Sequence, residues 1–156
     1  MDGLTIRGPK PGEAQALTDL ALRAKASWGY DAAFMAACRD ELTVTAQRLI
    51  DWTFWVAEQG GAPVGIIALS HEGDVAELED FFVDPAAHGH GVGTALMVAF
   101  LAACRAKALT KVMVAADPNA EAIYQRLGYR TVGQIPSGSI PGRMLPRMEL
   151  SLTSPS

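Results

Sequence analysis

The chain is short of charge, of aromatic rings and of cysteine, and each shortage narrows what it can be. Charged side chains make up 19% of its 156 residues and aromatic ones 7%, while 49% are hydrophobic. A disordered chain shows the opposite balance, so a packed globular core is expected. Positive charge is the scarcer sign: 13 Lys and Arg stand against 17 Asp and Glu, a net charge of −4. That argues against a general DNA or RNA binder, which presents a basic face. The two cysteines, Cys38 and Cys104, lie far apart in apolar surroundings. They have no metal-type spacing and read as buried free thiols of a reducing compartment, so no metal is expected. No stretch reaches the ~18 consecutive apolar residues of a membrane span. The start, Met1-Asp2-Gly3-Leu4-Thr5, lacks the basic and apolar regions of a signal peptide. The expectation is a cytoplasmic protein with neither a membrane nor a nucleic-acid partner.

What is present suits one domain over residues 1–152, followed by a loose tail from Thr153 to Ser156. Leu4 to Arg7 reads as a strand ended by Gly8-Pro9. Ala16, Leu17, Leu20, Ala21 and Ala24 form one apolar stripe, which predicts a helix from Gly12 to Ser27. Trp28-Gly29-Tyr30-Asp31 interrupts it before helices at about Ala32–Asp40 and Thr45–Ile50. Strands follow at Thr53–Glu58, Pro63–Ser70 and Val75–Val83, the first two joined by a Gly60-Gly61 hairpin turn. Simple alternation along the third places Glu77, Glu79 and Phe81 on one face. The pattern then changes to a long helix, Gly91–Lys107, whose wide apolar face needs cover on more than one side. A strand at Lys111–Ala115, a short helix at Asn119–Leu127 capped by Asn119 and Gly128, and strands at Tyr129–Gln134 and Arg147–Leu152 complete the chain. The helical crossover from Val75–Val83 to Lys111–Ala115 makes two parallel strands in a mostly antiparallel sheet. The expected class is α+β, with six or seven strands and helices on both faces.

Between a strand and the long helix lies His88-Gly89-His90-Gly91-Val92-Gly93. Three glycines let backbone N–H groups converge, and the helix N-terminus adds positive potential, which together suit a pyrophosphate. A dinucleotide fold would place such a run after the first strand of an alternating βα chain, and here three antiparallel strands come first. A P-loop needs Gly-Lys, and no such pair occurs. The stretch Phe81 to Met97 closely resembles the acetyl-CoA motif of the GCN5-related N-acetyltransferase (GNAT) superfamily. Asp117-Pro118-Asn119-Ala120-Glu121-Ala122-Ile123-Tyr124-Gln125-Arg126-Leu127-Gly128-Tyr129 resembles that family's second motif, in the right order and spacing. One departure is His88, where the family usually carries Gln or Arg; another is His90, where it often carries Arg or Lys.

The resemblance implies a GNAT-like fold and direct attack of an amine on the thioester of acetyl-CoA, used as cosubstrate. Phosphate contacts are implied at His88, Gly89, His90, Gly91, Val92, Gly93 and Thr94. Backbone N–H groups near Phe82 and Val83 are implied for the pantetheine arm and the thioester carbonyl, and Asn119 for the pantetheine amides. An alkyl amine is mostly ammonium at neutral pH, so a proton acceptor is required. Glu77 falls where several family members place a catalytic glutamate, with Glu79 and Asp80 as substitutes. Tyr124 matches the tyrosine that protonates the departing sulfur. The acceptor is expected between the first helices and the last two strands, which points to Trp28, Tyr30, Glu79 and Arg143 as substrate contacts. A small amine or amino-acid-like acceptor is the leading reading. A protein N-acetyltransferase, acting on lysine or a terminal amine, and a non-catalytic acyl-CoA-binding module are the alternatives. A homodimer is a further implication of the family.

Overall fold

The computed structural model describes residues 3–153; most of the expected tail, 154–156, lies outside them. The order is β1 (Thr5–Arg7), α1 (Ala14–Ala26), α2 (Ala32–Leu42), α3 (Ala46–Asp51), β2 (Thr53–Gln59), β3 (Ala62–Glu72), β4 (Val75–Val83), α4 (Val92–Ala106), β5 (Lys111–Ala115), α5 (Glu121–Arg126), β6 (Arg130–Pro136) and β7 (Met144–Ser151). The strands form one seven-stranded sheet in the order β1-β2-β3-β4-β5-β7-β6, with β4 and β5 parallel and every other pair antiparallel. This is the expected α+β class.

Each face of the sheet carries its own core. On one, Leu17 and Leu20 of α1 bury against Val56, Ile66 and Ala68. On the other, Leu96, Phe100 and Cys104 of α4 pack on Ile67, Leu69, Leu78 and Val112. Truncating a fully buried Phe100 to Ala costs about 3–5 kcal/mol by transfer and cavity terms. Burial lifts the Cys104 thiol to about 11, which keeps it protonated and inert. The β2–β3 hairpin closes on Gly60 and Gly61, both at positive φ (62° and 81°), the geometry a two-residue turn needs.

One glycine does packing work that the sequence did not advertise. A Cβ on Gly65 of β3 would sit 2.8 Å from both Leu96 Cδ1 and Val92 Cγ1. Its hydrogen lets the first turns of α4 lie directly on the sheet.

Three local expectations are corrected. A β-bulge at Glu79 breaks the alternation of β4: Leu78 pairs with Leu69 and Asp80 with Ala68, leaving Glu79 as the extra residue. Leu78 and Phe81 therefore both turn to the α4 core, while Glu77 and Asp80 share the α1 side; Glu77 and Phe81 are on opposite faces. The C-terminal hairpin is longer than expected, because β6 reaches Pro136 and β7 begins at Met144. Pro146 is tolerated there because it faces β5 just beyond that strand's last pair, Ala115 with Arg147, and its carbonyl accepts from Ala116 N–H at 2.9 Å. Finally, Asn119 does not cap α5: Asp117 caps the preceding turn by accepting from Asn119 N–H at 2.8 Å.

Candidate active site

The two parallel strands separate, and the site lies where they part. β4 and β5 pair over only three positions, Val75–Glu77 with Lys111–Met113. Beyond them the bulge at Glu79 bends β4 away. Among the described residues the remaining length of β4 has no strand neighbour on that side, so its outward backbone groups are left for a ligand. The opening is a cleft of about 770 Å³ running from the N-terminus of α4 to α2, α3 and the β6–β7 loop. Asp84 N–H donates to Val64 O at 2.8 Å, which sets the phase of the ladder. By antiparallel alternation Phe82 then pairs with β3, while Val83 turns its N–H to the cleft. Of the two expected backbone donors, Val83 has the right direction and Phe82 does not.

The glycine loop forms one end of this cleft. The first helical bond of α4 runs from Ala95 N–H to Gly91 O at 3.0 Å, so the N–H groups of Val92, Gly93 and Thr94 have no partner within the helix. Gly89 and Gly91 hold φ of 82° and 76°, values that L-residues rarely adopt, and open space surrounds both. The arrangement fits a pyrophosphate: fixed backbone donors, a helix dipole of the right sign and no Cβ in the way. His88 lines the cleft, with Nε2 at 3.3 Å from Val83 O. His90 is exposed and lies outside the cleft lining.

Midway along the cleft β4 presents three carboxylates. Glu77, the expected base, makes a two-point ion pair with Arg147 of β7, at 2.6 and 2.7 Å. Its oxygens are thereby committed to a permanent cation. Glu79 is half-buried and accepts from Ser70 Oγ at 2.7 Å; burial, then repulsion from Glu77, pushes its pKa upward. Asp80 is 7% exposed and has no hydrogen-bond or ion-pair partner among the described residues, yet it lines the cleft. Burial pushes its carboxyl up to about 7, with Arg48 opposing the rise. A carboxyl that titrates near neutrality in a cleft is matched to proton transfer.

Tyr124 approaches from α5. Its ring packs edge-on against Phe81 and Tyr129, with centroids 6.2 and 5.2 Å away, and its hydroxyl has no hydrogen-bond partner among the described residues. Burial first, then the neighbouring Tyr129 and the carboxyls of Asp80 and Asp117, drives its pKa upward. The phenol thus stays protonated as a donor aimed into the cleft it lines.

The acceptor-side loops are tied together by a polar clasp. The Tyr30 hydroxyl donates to Asp117 and accepts from Asn119 Nδ2 and from Arg143, which uses its whole hydrogen-bonding capacity. Lys25 Nζ lies 2.6 Å from Asp117. Burial disfavours ionisation of Asp117, but Lys25 and the other donors outweigh it and hold the carboxyl below its ordinary value. The Tyr30 ring stacks on Phe34 at 3.9 Å, and the Arg143 guanidinium lies over both rings. Trp28, Glu79 and Arg143 line the cleft as expected of substrate contacts. Tyr30 and Asn119 do not line it, and instead hold its wall. The bulge, the Glu77–Arg147 pair and the Asp117 clasp escaped sequence reasoning, because each joins residues remote along the chain. Among the described residues no group of three or more metal-type side chains occurs, and no helix is long and apolar enough to cross a membrane.

A family model described as an acetyltransferase (GNAT) domain matches residues 17–139. No curated protein matches the sequence. Among solved structures, a GCN5-related N-acetyltransferase from Rhodopseudomonas palustris is 23% identical with a TM-score of 0.80, over 97% of this chain and 98% of that one. A PaiA N-acetyltransferase from Thermoplasma acidophilum, solved in complex with coenzyme A, is 16% identical with a TM-score of 0.76, over 96% and 99%. A ribosomal-protein alanine N-acetyltransferase from Escherichia coli is 19% identical with a TM-score of 0.69, over 98% and 96%.

Proposed function

Because the chain belongs to the GNAT acetyltransferase family and is an acetyl-CoA-dependent N-acetyltransferase, we propose that it passes acetyl directly to a primary amine of a small molecule, with Asp80 as base and Tyr124 as acid. The observation that carries this reading is the presence in one cleft of two groups with no hydrogen-bond partner among the described residues: a buried carboxyl midway along it and a buried phenol, in the same channel that starts from the N–H groups of α4.

Acetyl-CoA supplies an activated thioester; the chain's residues position it and move protons. The N–H groups of Val92, Gly93 and Thr94 hold the pyrophosphate, with Gly89 and Gly91 keeping the approach clear. The Val83 N–H meets the pantetheine arm and polarises the thioester carbonyl, a fixed donor that needs no reorganisation. Asp80 takes the proton that the amine nitrogen sheds as it attacks the carbonyl carbon. Tyr124 donates its proton to the departing sulfur. Such positioned acids and bases typically contribute ~10²–10⁴-fold each. Glu77, held by Arg147, shapes the wall beside Asp80 and keeps that cation away from it.

A small acceptor is favoured over a protein tail because the clasp ties the α1–α2 linker to the β6–β7 loop across the acceptor end. The two unpaired buried thiols support a reducing, cytoplasmic setting. The test is thiol release from acetyl-CoA with a panel of primary amines and unstructured peptides, followed by initial-velocity analysis. Direct transfer gives intersecting double-reciprocal lines. Parallel lines, which signal an acyl-enzyme, or turnover confined to peptides would overturn the proposal.

A further inference from the structure

Toward its acceptor end the cleft holds carboxylates that no cation among the described residues claims. Asp80 is nine-tenths buried and has no partner among the described residues. Glu79, one residue before it in the bulge, uses Oε2 on Ser70 and has no basic group within ion-pair distance. Glu41 of α2 lines the same wall from the opposite side.

The nearby cations are already engaged. Arg147 is spent on Glu77. Arg143 and Lys25 serve Asp117 and Tyr30. Arg48 donates to the carbonyls of Glu41 and Thr43 at 2.6 and 2.8 Å and lies over the Trp52 ring, 5.0 Å from its centroid. Its field reaches Asp80 and Glu79, but it is one charge against three. Arg143, the residue that would recognise a substrate carboxylate, already shares its Nη2 between Tyr30 and the Asp117 carboxylate.

A second cavity, of about 530 Å³, opens beside this end. Glu77 and Glu79 line both cavities and form the neck between them. Beyond the neck lie Ser70, His71, Glu72 and Arg147, the last paired with Glu77. A molecule with its reacting nitrogen at Asp80 would thus carry its remainder past Glu79 toward a second space in which three carboxylates, Glu72, Glu77 and Glu79, face one cation, Arg147.

We propose that the acceptor is a small amine with two or more positive charges, a diamine or polyamine, whose unreacted ammonium is held by Glu79 in the neck. This rests on the reaction proposed above. It adds that a second cation is selected for and that an acceptor bearing a carboxylate is rejected. Desolvated charge complementarity of this kind discriminates by leaving the wrong partner's charge unpaired.

Three acceptors of matched length provide the test: 1,4-diaminobutane, butylamine and 4-aminobutyrate, with charged, apolar and anionic far ends. The expected order of kcat/KM is diamine, then butylamine, then 4-aminobutyrate, with at least about tenfold between the first two, as for one charge-assisted contact. Glu79→Gln collapses the diamine-to-butylamine ratio through KM, and Glu79→Asp partly restores it. A ratio near one in the wild type, an unchanged ratio in Glu79→Gln, or faster turnover of 4-aminobutyrate overturns the inference. If no acceptor of any kind releases thiol, the proposed reaction fails instead. Calorimetric binding of 1,4-diaminobutane against butylamine to the CoA-loaded protein then decides the inference alone: equal affinities refute it, and a Glu79-dependent preference for the diamine supports it.

Discussion

Replacing Asp80 with Asn separates what the fold needs from what the chemistry needs. The side chain keeps its shape and loses its charge. In the native protein burial lifts this carboxyl from 3.8 to about 7. Between those values the folded state binds a proton that the unfolded state has released. Raising the pH therefore draws stability out of the wild type, and the loss is complete above about pH 7. The full difference corresponds to about 4 kcal/mol as a ceiling. Asp80→Asn removes the titration, so it should be more stable than wild type at pH 8, by up to about that amount, and equal to it below about pH 4. For a chain of this length each kcal/mol moves Tm by about 2–4 °C. Turnover should move the other way, falling ~10²–10⁴-fold. The limb of kcat/KM that rises through pH 7 should vanish and leave the amine's own ionisation. Thermal melts across pH, paired with thiol-release kinetics, read both effects. A variant no more stable than wild type at pH 8, or one that keeps the limb near pH 7, would refute the argument that Asp80 is a buried, unpartnered base.

Three other substitutions test separate parts of the structure. Gly91→Val should abolish calorimetric binding of acetyl-CoA, since it combines a φ of 76° with a side chain over the helix N–H groups; open space around the position lets the variant fold. Gly65→Ala should cost about 1–3 kcal/mol in denaturant melts, because its Cβ overlaps the buried Val92 and Leu96; a neutral result would mean that α4 can lift from the sheet. Tyr124→Phe should lower turnover at saturating substrates by at least tenfold, as loss of a positioned acid requires, while leaving the melting curve in place, because the hydroxyl has no protein bond to lose.

Local pattern made most of the fold legible. The stripe of α1 and the apolar face of α4 each fixed an element to within a few residues, because each element is stabilised by burial with its own period. The glycine loop was legible for the same reason: positive φ before a helix has few residue solutions. What escaped depends on partners distant in the chain. Glu77 carries the family's position for a base, but only the β5–β7 register brings Arg147 against it. Asp80 was only a substitute for Glu77, and it takes the α1 side of the sheet with Glu77 because of the bulge. Asn119 looked like a cap, and the cap is Asp117, whose companions come from α1 and from the β6–β7 loop.

The bulge has a meaning in terms of gene change. Remove Glu79 and the remaining order, Glu77, Leu78, Asp80, Phe81, alternates without fault against β3: every apolar side chain keeps its core and every acid its side. Packing therefore places no demand on the extra residue. A chain lacking that codon would retain the hydrophobic code of β4 as a straight strand, free to continue its pairing with β5 and zip the cleft shut. A single inserted residue separates a closed α+β sheet from one that is open along its middle. Substitution of Glu79 leaves the extra residue in place, whereas its deletion should remove the bulge and the reaction with it.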